Sequence, residues 1–160
     1  MSYFQLIGEG PYALSSALHG AFGFLLALAL AFSLEAVLNL NGGSIKRLRI
    51  TTIVISVVSF LAIFYGNIVY IGYRSSGGVR EYFLKNYPAA HAYGMEFKEF
   101  IALFSLPMAV VAAYIVWTMR EDLISNKWLR YTFITCLVLA FIYTVGAFGL
   151  AAAITKIKAV

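Results

Sequence analysis

"YALSSALHGAFGFLLALALAFSLEAVL" (residues 12–38) decides the fold. It holds one histidine, one glutamate and no basic residue. It is longer than the roughly 20 apolar residues a helix needs to cross the hydrocarbon core of a bilayer. A secretory signal opens on a basic segment and has an apolar centre of about 7–15 residues. Here the apolar run is longer, its flank carries Glu9, and the first basic residue is Lys46. The stretch reads as a retained membrane helix. Three more apolar runs follow, so spans are expected at about 12–38, 50–73, 94–119 and 128–155. Backbone groups in lipid must be satisfied within the segment, which favours helices. The expected fold is all-α: an integral membrane four-helix up-down-up-down bundle, a single transmembrane domain over residues 1–160.

Composition agrees. Of 160 residues, 62% are hydrophobic and 12% charged, against about 25% charged in soluble domains. The formal net charge is +5, yet the basic residues lie between the apolar runs. They read as membrane flanks attracted to lipid headgroups, not as a nucleic-acid surface. Cys136 is the one cysteine. It cannot form a disulfide within the chain, a cysteine zinc site is excluded, and a small core residue is expected.

The links carry turn and charge signals. "NLNGGSIKRLR" (39–49) has Asn41-Gly42 followed by a basic cluster, and "REDLISNK" (120–127) reads as a short charged turn bracketed by Trp117 and Trp128. The longer link from Arg74 to Tyr93 opens with "RSSGG". Within it "VREYFLKNY" (79–87) reads as an amphipathic interfacial segment, and Pro88 as a helix start. Pro107 should kink the third span, with Ser105 taking up part of the slack. The side holding the first and third links carries Lys46, Arg47, Arg49, Arg120, Lys127 and Arg130. The other side, here side B, carries Arg74, Arg80, Lys85, Lys98, Lys156 and Lys158. The denser first set places that side in the cytoplasm of a cell (cytoplasmic) membrane, with both termini outside.

Side B gathers polar residues at one depth: His19 from the first span, Asn67 and Tyr70 from the second, and Glu96, Lys98 and Glu99 from the third. Three-and-four spacing puts Ser56, Ser59, Ile63, Gly66, Asn67, Tyr70 and Tyr73 on one stripe of the second span. It does the same for Thr132, Thr135, Leu139, Tyr143, Gly146 and Leu150 on the fourth. On the first, Ala13, Ala17, Gly20, Gly23, Ala27 and Ala31 make a small-residue packing seam. An imidazole beside Gly20 and Gly23 leaves room for a flat ring system, and histidine is a common axial ligand of haem iron. His19 is therefore the candidate metal ligand. The alternatives are a structural hydrogen bond, a proton relay or a quinone contact.

His91 is the second histidine, expected above the lipid boundary as a solvated group, though a second ligand if the third span sits deep. Glu96 and Glu99, at i and i+3, share a side and with His91 form a possible metal set, although without the Glu-x-x-His repeat of di-iron bundles. Lys98 can snorkel upward. Glu35 is expected near the opposite boundary. Sixteen residues from His19, it lies about 160° around the helix at 100° per residue, which disfavours a transport path. No phosphate-binding loop, His-Glu-x-x-His or Ser-His-Asp pattern is present.

Four spans, "LHGAFG" (18–23), and the aromatic-rich ends of the second and third spans resemble small four-helix membrane subunits of respiratory complexes. These are b-type cytochrome anchors and oxidase accessory subunits. The resemblance implies a small membrane subunit of an electron-transfer complex, not an enzyme on its own. It would bind haem b or a quinone near side B through His19, His91, Asn67, Tyr70 and Glu99, with lipid and other membrane subunits as partners. The alternative is a cofactor-free assembly or anchoring protein, and after it a small transporter.

Overall fold

The computed structural model describes residues 11–157, so Glu9 and Lys158 lie outside it. Helix α1 (Ala13–Leu38) ends one residue before Asn39, where the chain turns. α2 (Gly42–Arg74) begins eight residues earlier than the expected span, because Asn41 and Ser44 close a capping box. The Asn41 side chain accepts from the Ser44 amide at 3.0 Å, and Ser44 Oγ accepts from the Asn41 amide at 3.2 Å. Two otherwise unpaired donors are thereby satisfied. Most of the segment read as a link is thus helix, and Lys46, Arg47 and Arg49 ride on its first turns. At 1.5 Å per residue α2 is about 50 Å long, so it overshoots the roughly 30 Å hydrocarbon core.

The next link is structured. After a turn with Gly77 at φ 70°, α3 (Val79–Asn86) packs Phe83 inward, fully buried. The third span runs Ala90–Thr118 and starts earlier than expected. Its first part is π-helical (Ala90–Glu96), followed by α4 (Phe97–Leu103), a break at Phe104, and α5 (Ser105–Thr118). Pro107 explains the break: without an N–H it leaves the Leu103 carbonyl without its α-helical partner. Ser105 Oγ donates to the Ala102 carbonyl at 2.8 Å and meets Ser59 Oγ at 3.0 Å, so the slack is held by hydroxyls. The expected charged turn is α6 (Arg120–Ser125). Asn126 then caps α7 (Lys127–Ile157), accepting from the Trp128 and Leu129 amides at 3.0 and 3.2 Å.

The fold is all-α, with four helices long and apolar enough to span a membrane and short helices in the links. The long helices close a ring, α1 on α2, α2 on α5, α5 on α7 and α7 on α1. Neighbours run antiparallel. Ser33 bonds Thr51 while His19 bonds Ala62, and Trp117 bonds the Arg49 carbonyl while Ser105 meets Ser59. Phe24, Phe32, Phe60, Phe64, Phe100 and Tyr114 are exposed on the outside. The bilayer is the solvent that accommodates such a surface in this integral membrane protein.

The packing faces differ from the expected stripes. α1 buries Leu26, Leu30, Ser33, Ala36 and Val37, whereas Ala17 and Ala31 of the small seam are exposed. On α7 the buried line is Phe133, Cys136, Leu137, Ala140 and Thr144, and Thr132 and Thr135 point outward. Cys136 is a core residue, as expected. One large core fills the half of the bundle next to the first and third links, around Leu30, Leu48, Val116 and Leu137. A smaller one, Tyr73, Phe83, Met95 and Ile154, closes the side B end. The space between them is incompletely filled, and the candidate site lies there.

Candidate functional site

Four helices leave a cavity of about 240 Å³ between the two cores. α1 contributes His19, Gly20, Gly23 and Leu26, and α2 contributes Ala62, Ile63, Gly66, Asn67 and Tyr70. The third span adds Lys98, Glu99, Ala102, Leu103 and Ser105, and α7 adds Thr144, Ala147, Phe148 and Ala151. The inner end is chemically quiet. Thr144 Oγ1 donates to the Ala140 carbonyl at 2.7 Å, and Ser105 is engaged as described. The reactive groups are His19, Lys98, Glu99 and Tyr70, with exposed Asn67 at the rim.

His19 is held in one orientation. Its Nδ1 lies 2.8 Å from the Ala62 carbonyl oxygen. A carbonyl only accepts, so Nδ1 carries the hydrogen and Nε2 is left with its lone pair. A hydrogen bond on one ring nitrogen fixes the tautomer and orients the other nitrogen toward a ligand. The ring packs closely on Gly66: a Cβ built there would stand 2.9 Å from both Cε1 and Nδ1. The expected open glycine is only half right. Gly20 does face open space, but Gly23 faces Phe148 at 3.8 Å, and the glycine that admits the imidazole is Gly66 on α2.

Lys98 and Glu99 come from the first turn of α4. The Tyr70 phenol stands beside the Glu99 carboxylate, and Lys98 stands within electrostatic range of both His19 and Glu99. Lys98 thus lines the cavity, where upward snorkelling was expected. An imidazole, an ammonium-bearing lysine, a phenol and a carboxylate line one largely apolar chamber. Such a chamber suits a flat, largely apolar molecule with polar groups at its edge.

The structure brings together His19, Asn67, Tyr70 and Glu99 but not His91. His91 is 5% exposed rather than solvated, and it sits in the smaller core. Its Nδ1 is hydrogen-bonded to the Tyr73 hydroxyl at 2.7 Å, and its Nε2 lies 3.3 Å from Glu96 Oε1. Tyr73 is eleven residues beyond Ala62, about 16 Å along α2. Two nitrogens sharing one metal stand only about 4 Å apart, given metal–nitrogen bonds near 2 Å. Glu96 and Glu99 also part company, the first toward His91 and the second toward the cavity. Among the described residues, no group of three or more His, Cys, Asp or Glu is placed to hold a metal ion. Glu35 is exposed at the far boundary, 3.9 Å from Arg47, as expected.

Sequence reasoning missed Lys98 and Gly66 as site residues, and Tyr73 as the partner of His91. The Tyr70-x-x-Tyr73 spacing at the end of the second span was the available signal for the last. No protein-family model, curated protein or solved structure matches this chain.

Proposed function

We propose that the chain is a small integral subunit of a membrane electron-transfer complex that receives a quinone headgroup in the side B cavity. The observation that carries this reading is convergence. In a largely apolar chamber, His19, Lys98, Tyr70 and Glu99 are the titratable groups, and they come from three helices. Lys98 donates to a quinone carbonyl, and Nε2 accepts from a hydroquinone hydroxyl, so both redox forms find partners. The apolar chamber takes the ring, and an isoprenoid tail leaves toward lipid. Larger subunits of the complex supply the electrons and cover part of the exposed aromatic surface. The membrane is the cytoplasmic one, with side B and both termini extracytoplasmic.

Haem b is the second reading, favoured by the Nδ1–H···O=C bond that presents Nε2 as an axial ligand would be presented. The donor set fits one axial imidazole and not two, since His91 is held elsewhere. Organic extraction of protein purified from its native membrane, with an absorption spectrum, separates the readings. Near-stoichiometric quinone, lost in His19→Ala and in Lys98→Ala, supports the first. A Soret band lost in His19→Ala supports the second. Neither signal, with larger subunits co-purifying, replaces both with an anchoring role.

A further inference from the structure

At the boundary opposite side B, the arginines differ in what they touch. Arg47 lies 3.9 Å from Glu35, and Arg120 lies 3.2 Å from Glu121. Arg130 donates to the Leu123 and Ile124 carbonyls. Arg49 has neither a carboxylate nor a carbonyl partner among the described residues. Its guanidinium lies over the Trp117 ring instead, 4.0 Å from the centroid. Its Nε is buried and unpartnered, while the residue as a whole is half-exposed, so the two Nη groups are the donors that meet the surroundings. The indole N–H donates back to the Arg49 carbonyl at 3.0 Å, so arginine and indole hold each other in place. A planar fork held this way loses less freedom when it takes an anion. Lys46, exposed and three residues earlier on the same side of α2, adds a second positive charge. Inward from this group both helices turn apolar. Ile53 and Val57 follow Arg49 at i+4 and i+8, Tyr114 lies one turn inward of Trp117, and all three are exposed. Because α2 packs on α5, the two apolar stripes run side by side.

We infer that Arg49, Lys46 and Trp117 bind the phosphate of an anionic phospholipid, whose acyl chains lie along Ile53, Val57 and Tyr114. A guanidinium gives a phosphate two parallel, charge-assisted hydrogen bonds, and it can do so at its edge while its face stays on the indole. The indole marks the depth at which headgroups sit. A free anion would use the cations and none of the apolar track below them. A zwitterionic lipid would bring its own ammonium toward Lys46. Arg47 supplies the contrast within the same helix turn: it carries the same charge, but Glu35 already answers it. A diffuse basic belt would draw on Arg47 and Arg49 alike. The site lies at the far end of the bundle from the side B cavity and does not depend on what that cavity holds.

The test reads the lipid beside Trp117. The chain has two tryptophans, so Trp128→Phe leaves Trp117 as the sole indole emitter. The full chain with this change is reconstituted in phosphatidylcholine vesicles containing a minor share of brominated phosphatidylglycerol or, in parallel, of brominated phosphatidylcholine. Bromine quenches an indole that it touches. Phosphatidylglycerol is expected to quench as though enriched about fivefold or more over phosphatidylcholine, the factor one cation at a membrane surface contributes. Arg49→Gln brings the two lipids level, whereas Arg47→Gln, with the same loss of charge, leaves the enrichment in place. Lys46→Gln, at an exposed position, lowers it severalfold and keeps the test open should Arg49→Gln misfold. Millimolar inorganic phosphate at constant ionic strength leaves the quenching unchanged. Equal quenching by the two lipids in the parent overturns the site. An equal loss in Arg47→Gln replaces it with a diffuse belt, and displacement by inorganic phosphate replaces the lipid with a free anion.

Discussion

Gly66→Ala is the sharpest test of how His19 is held. A Cβ at that position would stand 2.9 Å from the imidazole Cε1 and Nδ1. Carbon atoms in contact prefer about 3.5–4.0 Å, so the ring would have to retreat by roughly 0.6–1 Å. The imidazole is rigid, and its 2.8 Å bond to the Ala62 carbonyl holds it in place. A retreat of that size stretches the bond beyond the usual hydrogen-bond range, which ends near 3.2 Å. Loss of that bond costs about 1 kcal/mol, and overpacking adds about 1–3 kcal/mol. Against this, alanine is favoured over glycine inside a helix by about 1 kcal/mol. The expected net destabilisation is therefore about 1–3 kcal/mol, read from unfolding in mixed micelles by circular dichroism. Gly20→Ala is the control: nothing lies within 4 Å of its Cβ, so it is neutral or slightly stabilising. In a His19→Ala background the obstacle is gone, and Gly66→Ala should also turn neutral or stabilising. The double-mutant cycle should show coupling of about 2 kcal/mol between the two sites. If Gly66→Ala behaves the same with and without the imidazole, the packing of His19 against α2 is wrong, and so is the tautomer argument.

Three other substitutions probe the frame around the site. Asn41→Ala removes the capping box of α2 and is expected to cost about 1 kcal/mol, with faster amide exchange confined to the first turn after Gly42. Ser105→Ala strips the partner of buried Ser59 and the hydroxyl that answers the Ala102 carbonyl. It should destabilise by about 1–2 kcal/mol, and by more than Ser59→Ala, which leaves the Ala102 bond intact. Trp117→Phe loses the indole bond to the Arg49 carbonyl at 3.0 Å and weakens the guanidinium contact at 4.0 Å from the ring centroid. A loss of about 1 kcal/mol in the same unfolding assay is expected, with no effect on whatever the side B cavity holds.

Span number and type were legible because they depend on one quantity, the length of apolar sequence relative to bilayer thickness. The depth of the polar layer was legible for the same reason. His19, Asn67, Tyr70 and Glu99 lie at comparable distances from span ends, and antiparallel helices turn sequence distance into depth. The rotation of each helix about its axis was not. Three-and-four spacing identifies residues that share a stripe, but in lipid an apolar stripe is as content outward as inward. The seam Ala17–Gly20–Ala31 and the threonines at 132 and 135 were assigned inward on residue size and polarity alone. Packing instead selected Leu26–Leu30–Val37 and Phe133–Leu137, whose larger side chains fill the space between helices.

The third span shows how a local irregularity decides which site a residue joins. Glu96 and Glu99 are three apart and would share a face of an ideal α-helix. The segment Ala90–Glu96 is π-helical, with one more residue per hydrogen-bonded turn. That extra residue rotates His91 and its neighbours relative to everything that follows Phe97. Nothing in "AHAYGME" specifies a π-turn by propensity. Tertiary contacts favour it: Tyr73 takes His91 Nδ1 at 2.7 Å, and Gly94 lets Ile154 approach so closely that a Cβ there would stand 3.2 Å from it. The consequence is a division of labour between two carboxylates. Glu96 is turned to the buried histidine and Glu99 to the cavity, and Tyr73 stacked on Tyr70 lies between them. In a regular helix Glu96, five residues after His91, would stand about 140° around the axis from it at 100° per residue, and the π-turn brings the two side chains together.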